Sequence, residues 1–417
     1  MRMRWQLATA SLIFPASLLI AACETTGTDP SDDRADEPDT SVAVSALGEA
    51  PTGFDGLSNG FSTQADMDAA AAVFAEVEGI ADGLGPVYNR QSCAECHHVP
   101  VLGGTSDVRE TRVGHFDGTR FIDPPGGSLI QDRAIDPAIQ ETIPPGNEAR
   151  TFRVSLAMFG DGYVEAINNS TLTAIAAAQP AAQRGTVIQV PVLEAPGAVR
   201  AGRFGWKDQN ASVLSVVAEE YLDEIGITSP LKPVENTSNG RSVADFDRVP
   251  DPEDDGSNTA SLALFVRSLK APPVDAARAA SASAVRGSNL FNQIGCAVCH
   301  TRTIATAPVG TVINGGAFTV PAALGDKNIH PLCDFLLHNV GTGDGIVQNG
   351  GVATRNQVRT ACLWGLRTRT QFMHDGTSPT VTQAIQRHGG QATAARNSFN
   401  ALSAASRTDL LNFLLSL

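Results

Sequence analysis

Aromatic side chains are scarce in this chain. Of its 417 residues, 6% are Phe, Trp or Tyr, with three tryptophans and three tyrosines. Positive charge is in deficit: 30 Lys and Arg stand against 44 Asp and Glu, a formal net charge of −14. That acidity argues against nucleic acid as a partner and against simple adsorption to anionic lipid. Beyond residue 22 no stretch is long or apolar enough to span a bilayer. Cysteine is sparse, at seven. Glycine and proline are plentiful, 39 and 24 residues, which suits helices joined by long irregular loops. The length suits two domains better than one small one.

Four of the seven cysteines form two runs of one design, Cys93-Ala-Glu-Cys96-His97 and Cys296-Ala-Val-Cys299-His300. In this spacing two thiols add across the two vinyl groups of a haem, and the adjoining histidine reaches the iron as proximal ligand. A zinc ribbon needs its second Cys pair some 15–20 residues from the first, and here the pairs lie in opposite halves. A thioredoxin-type dithiol needs a βαβ context and leaves both histidines without a role. Two covalently bound haem c groups are the expected cofactors, and they supply apolar bulk that the side chains lack.

Arg2 and Arg4 precede an apolar stretch from Leu12 to Ala22, the pattern of a signal peptide. It ends Leu19-Ile-Ala-Ala-Cys23, which resembles a bacterial lipobox. Residues 1–22 are read as a lipoprotein signal, Cys23 as the lipidated residue and residues 23–46 as a flexible tether. Cleavage after Ala22 without lipidation is the alternative. Either way the body is exported, to the periplasm or cell envelope, with a lipid anchor as its only tie to a membrane. Loss of Arg2 and Arg4 with the leader makes the chain two units more acidic, which permits steering of a basic electron donor.

A mainly α fold is expected: two cytochrome c-like haem domains, 47–271 and 272–417, with long irregular loops and little β. Helices are expected at 65–77, 211–225, 261–269, from 274 toward 291, and at 408–417, with a candidate strand at 186–194. The first and last helices of the second domain are expected to pack together over a haem edge. No tandem repeat exists beyond the two haem runs.

Further runs carry a resemblance. They are Leu336-Leu-His-Asn-Val-Gly341, Leu363-Trp-Gly-Leu-Arg367, Phe372-Met-His-Asp-Gly376 and Ala384-Ile-Gln-Arg-His-Gly-Gly390. The first half adds Gly83-Leu-Gly-Pro86, Arg112, Gly126-Gly-Ser-Leu129, Phe204-Gly-Trp-Lys-Asp-Gln209 and Glu224-Ile-Gly-Ile-Thr-Ser-Pro230. Together these resemble the bacterial di-haem oxidoreductase family assigned as peroxidases, over roughly residues 60–417. More distantly the pattern is similar to dihaem cytochrome c peroxidases and to the dihaem enzyme of methylamine dehydrogenase maturation.

The resemblance implies site roles. His388 falls where dihaem peroxidases place the distal ligand of the electron-entry haem; a surface helix histidine is the alternative, and Met373 is a rival read as core. His115 is the distal candidate at the first haem, against an open or water-ligated iron. Glu224 corresponds to the acid held over the reactive haem, or is a solvated helix-end glutamate. Trp206 sits where relatives place a tryptophan between haems, or it only packs. His338 and His374 line the second pocket and bond propionates or loops. Trp364 packs beside the second haem, and His98 and His330 have no matched role. Calcium occurs between the domains of related peroxidases, but no matching carboxylate loop is found. Cys333 and Cys362 lack the haem spacing; two spare thiols in an oxidising compartment pair as a disulfide or stay free and buried.

The expected function is a peroxidase-like oxidoreductase that takes electrons from a small redox protein at the second haem and reduces hydrogen peroxide at the first. The alternatives are a dihaem electron-transfer cytochrome and a haem lipoprotein assisting iron uptake. A thiol activity does not follow, because the CxxC thiols are committed to haem.

Overall fold

A computed structural model describes residues 47–417. The expected signal segment, Cys23 and the tether lie outside the described residues.

The fold is mixed, 33% helix and 15% strand, so the expectation of a mainly α chain with little β is corrected. The longest strand, Arg109–Phe116, pairs antiparallel with Ala149–Val154 from Arg109↔Val154 to Gly114↔Ala149. Its inward residues include Glu110 and Arg112, with Arg153 opposite. Charged groups facing a cavity erase the apolar–polar alternation by which a half-buried strand is read. Most other strands are two or three residues long, too short to carry a period.

In the first half, Thr63 caps the helix Gln64–Ala75 by accepting the Asp66 amide at 3.1 Å. That helix packs on Ser257–Ser268, with the rings of Phe74 and Phe265 4.7 Å apart. The helix expected at 211–225 is α-helical over Val213–Glu220 and continues as a π-helical turn over Tyr221–Ile225. Gly226 (φ 82°) stops it. A Cβ there would stand 2.7 Å from the Gly85 Cα and 2.8 Å from the Val87 carbonyl oxygen, so only glycine fits.

The second half repeats the arrangement. The expected helix from 274 is split into Ala276–Ala279 and Ala282–Gln293. The latter crosses the last helix, Ala404–Leu414, at Gly287, where a Cβ would lie 2.0 Å from the Asp409 carbonyl oxygen. Phe291 meets Phe413 at 5.4 Å across this crossing. The short strand Gly48–Glu49 pairs in parallel with Lys327–Ile329, which stitches the first described residues to the second half. Among the described residues no helix is long and apolar enough to cross a membrane.

Candidate dihaem site

Each Cys-x-x-Cys-His run sits on one tight turn. Ser92 caps the four-residue helix Cys93–Cys96, its hydroxyl accepting the Ala94 amide at 3.2 Å. Gly295 (φ 90°) opens the turn Cys296–Val298. The closing histidines are held alike. His97 Nδ1 bonds the Gly104 carbonyl and His300 Nδ1 the Leu332 carbonyl, each at 3.0 Å. A carbonyl partner makes Nδ1 the protonated nitrogen and leaves Nε2 as the free ligand atom. Burial pushes both imidazoles down to about 4, so each is neutral at neutral pH. Phe74 packs against the ring of His97 at 6.2 Å and Phe291 against that of His300 at 6.1 Å.

Each run opens on its own cavity. Val154 to Ala157, Trp206 and Arg359 line both. Trp206 therefore stands in the partition. It is buried, and its indole N–H donates to the Val154 carbonyl at 2.8 Å.

The second cavity is rich in histidine. His388 lines it together with His300, and its Nδ1 bonds the Ala384 carbonyl at 2.8 Å, which again leaves Nε2 free. His374 lines it too, 3% exposed, with Nδ1 lacking any partner. Met373 is in the left-handed region (φ 68°) and lines the same wall. His338 lines the same cavity. Its Nε2 pairs with Asp334 at 2.8 Å and its Nδ1 lies 3.6 Å from the Cys299 sulfur.

The first cavity has a different lining. His97 is its only histidine among the described residues, and Glu110, Glu220, Glu224, Asp161, Arg112, Arg153 and Arg359 line it. His115 is not among them. It is half-exposed at the far end of the strand, with Nδ1 on Glu148 at 2.7 Å. Glu224 is in the cavity, accepting the Asn89 side-chain amide at 2.8 Å. Burial, then Glu110, push its carboxyl up to about 8. Burial works the same way on Glu110, but Arg112 and Arg153 hold it below the usual carboxylate range. Arg112 grips it at 3.1 Å through both Nε and Nη2, and Arg153 stands 3.7 Å away. An acid and a base are thus set side by side. Sequence reasoning picked out Arg112 but missed Glu110, Glu220, Asp161, Arg153 and Arg359. The inward charges of the Arg109–Phe116 strand were the available signal.

Cys333 and Cys362 are both buried thiols, and the Cys333 S–H donates to the Thr360 carbonyl at 3.0 Å. Trp364 packs in the main core with them and against Gly160 rather than lining the second cavity. His98 bonds the Ala94 carbonyl one turn back, and His330 reaches across to Glu49 at the opposite end of the described chain. Glu235, Asp247 and Glu253 converge within 4.8 Å from separate loops. Burial and the neighbouring acids push the Glu235 carboxyl up to about 9.

Residues 147–417 match the family model described as "Di-haem oxidoreductase, putative peroxidase". The chain belongs to that family. The family implies two haem cofactors, and the residues fit them: two thiols and a free imidazole Nε2 at each cavity, and an unpartnered His374 Nδ1 in the second. No curated protein matches the chain. Solved structures similar to it include a hydrazine synthase of Kuenenia stuttgartiensis (14% identity, 97% of this chain, 100% of that one, TM-score 0.40). A MauG-like protein associated with microbial copper homeostasis is another (15%, 89% and 93%, 0.40). A third is the diheme peroxidase BthA of Burkholderia thailandensis (15%, 89% and 94%, 0.39).

Proposed function

We propose that the chain is an exported, lipid-anchored peroxidase of the periplasm or cell envelope. A small redox protein delivers electrons at the C-terminal site, and hydrogen peroxide is reduced at the N-terminal one. The observation that carries this reading is the asymmetry of two otherwise parallel cavities, one lined by histidines and the other by carboxylates and arginines. A haem at each run, which Cys93 and Cys96 and Cys296 and Cys299 would hold by thioether links, would supply one-electron redox chemistry.

The protein's own residues do the rest. His97 and His300 each offer a neutral Nε2, and His388 offers a second one at the C-terminal site, where it would be available to hold the group. Reduction of peroxide to two waters takes two electrons and two protons. Glu224, protonated at neutral pH, carries a proton between the peroxide oxygens. Glu110, clamped by Arg112 and Arg153, stays ionised beside it and helps to keep that proton on Glu224. Trp206 bridges the two cavities for electrons.

The test is peroxide-dependent oxidation of a reduced donor by the purified dihaem protein. Turnover is expected at neutral pH and is expected to be lost in Glu224→Gln. Wild-type turnover no faster than that of free haem refutes the proposal.

A further inference from the structure

We infer that Asp334, acting with His338 and Gln179, is a built-in anionic clamp on the second haem-attachment loop that holds the C-terminal haem at a low reduction potential. The inference rests on the dihaem reading of Cys296–His300.

The clamp begins in the chain that follows Pro331. Leu332 (φ 47°) and Phe335 (φ 54°) both adopt left-handed backbone, a conformation costly for non-glycine residues and kept only where the surroundings impose it. Between them Asp334 has a side chain that is 0% exposed. Three donors converge on it. His338 Nε2 reaches Oδ2 at 2.8 Å, Gln179 Nε2 reaches the same oxygen at 2.7 Å, and the Leu336 amide reaches Oδ1 at 3.1 Å. The Gln179 and Leu336 groups can only donate, so both carboxyl oxygens of Asp334 act as acceptors.

Both side-chain partners extend to the attachment loop. Gln179 Nε2 also donates to the Val298 carbonyl at 2.9 Å. His338, 1% exposed, presents Nδ1 to the Cys299 sulfur at 3.6 Å. Gly185 makes room for the ring: a Cβ there would lie 2.6 Å from His338 Nε2, and its amide donates to Gln179 Oε1 at 2.8 Å. The cluster thus holds Val298 by the Gln179 hydrogen bond and lays the His338 ring against Cys299. Among the described residues, the first run has no comparable grouping on Cys93 or Cys96.

The electrostatic consequence has a definite sign. Reduction removes one positive charge from the iron. A fixed anion inside a low-dielectric wall favours the oxidised, more positive state and lowers the potential. The effect belongs to the C-terminal haem, because the clamp sits on its sulfur.

The test is a spectroelectrochemical titration of the holoprotein, with each haem followed by its own spectrum. Asp334→Asn is expected to raise the midpoint of the C-terminal haem and leave that of the N-terminal haem in place. His338→Gln, which keeps the charge but removes the imidazole from the sulfur, is expected to give a smaller rise at the same haem. It carries the test if Asp334→Asn does not fold. Unchanged midpoints, or equal shifts at both haems as a general loosening would give, overturn the clamp. A wild-type protein without two covalent haems instead sinks the dihaem reading on which it rests.

Discussion

Trp206 and His374 meet edge to face with ring centroids 6.2 Å apart. The contact is framed by backbone: the Trp206 indole donates to the Val154 carbonyl at 2.8 Å, and the Val154 amide donates to the His374 carbonyl at 2.9 Å. One residue of the Ala149–Val154 strand thus holds the tryptophan of the partition and a histidine of the second cavity. Trp206→Phe should keep the fold, at a cost of about 1 kcal/mol for the lost hydrogen bond. It should slow electron transfer between the sites. In stopped-flow reduction the C-terminal haem is expected to reduce at the wild-type rate while the N-terminal haem lags. Equal rates for both in wild type and variant would remove Trp206 from the path.

The two thiol pairs act independently. Replacing Cys93 and Cys96 by alanine should leave one covalently retained haem per chain, and so should replacing Cys296 and Cys299. Mass spectrometry after acid–acetone extraction checks both. Retention of two haems by either variant contradicts the attachment sites.

His388 offers a free Nε2 to the second cavity. His388→Ala is expected to convert one of the two haems from low to high spin and to raise its potential, as loss of an axial histidine does. EPR of the oxidised protein reads the spin state. An unchanged low-spin signal would hand the role to Met373 or another residue.

Peroxide turnover should depend on pH through Glu224. Burial and Glu110 raise its carboxyl from an ordinary 4.5 to about 8, so the proton is present at neutral pH and turnover falls as pH rises through about 8. Glu224→Gln should lose roughly 10²–10⁴-fold in turnover. The same shift acts on stability. Its contribution is full below 4.5 and is lost as pH rises through about 8, because the unfolded chain ionises first. Chemical denaturation of wild type and Glu224→Gln across this window should show the loss in wild type alone.

Asp344 is a buried carboxylate between two cations. Its side chain is 0% exposed, with Arg153 at 2.7 Å and Lys207 at 3.2 Å. Asp344→Ala would strand two buried positive charges and should cost about 3–5 kcal/mol, measured by denaturant unfolding. The damage should reach the first cavity as well, because Arg153 also restrains Glu110.

The haem runs were legible because their chemistry demands fixed spacing within five residues. Helices with capping residues and an apolar face, such as Gln64–Ala75 and Ala404–Leu414, were legible within a few positions. The paired Arg109–Phe116 and Ala149–Val154 strands were not, because Glu110, Arg112 and Arg153 face a cavity and imitate a polar loop. The acid–base pair was also hidden: Glu110 and Glu224 are more than a hundred residues apart, and only the fold brings them to one wall. His115 was misplaced for a related reason. The resemblance put it beside the first haem, in the loop after the first run, but the strand carries it to the surface, where Glu148 takes it up.

Val154 to Ala157, with Trp206 and Arg359, serves as a party wall between two rooms. Neither room can be enlarged or shifted without moving its neighbour's boundary. The separation of the two cavities is therefore set by one short length of backbone. Either half expressed alone would lack part of its lining and should fail to retain its macrocycle in a native setting.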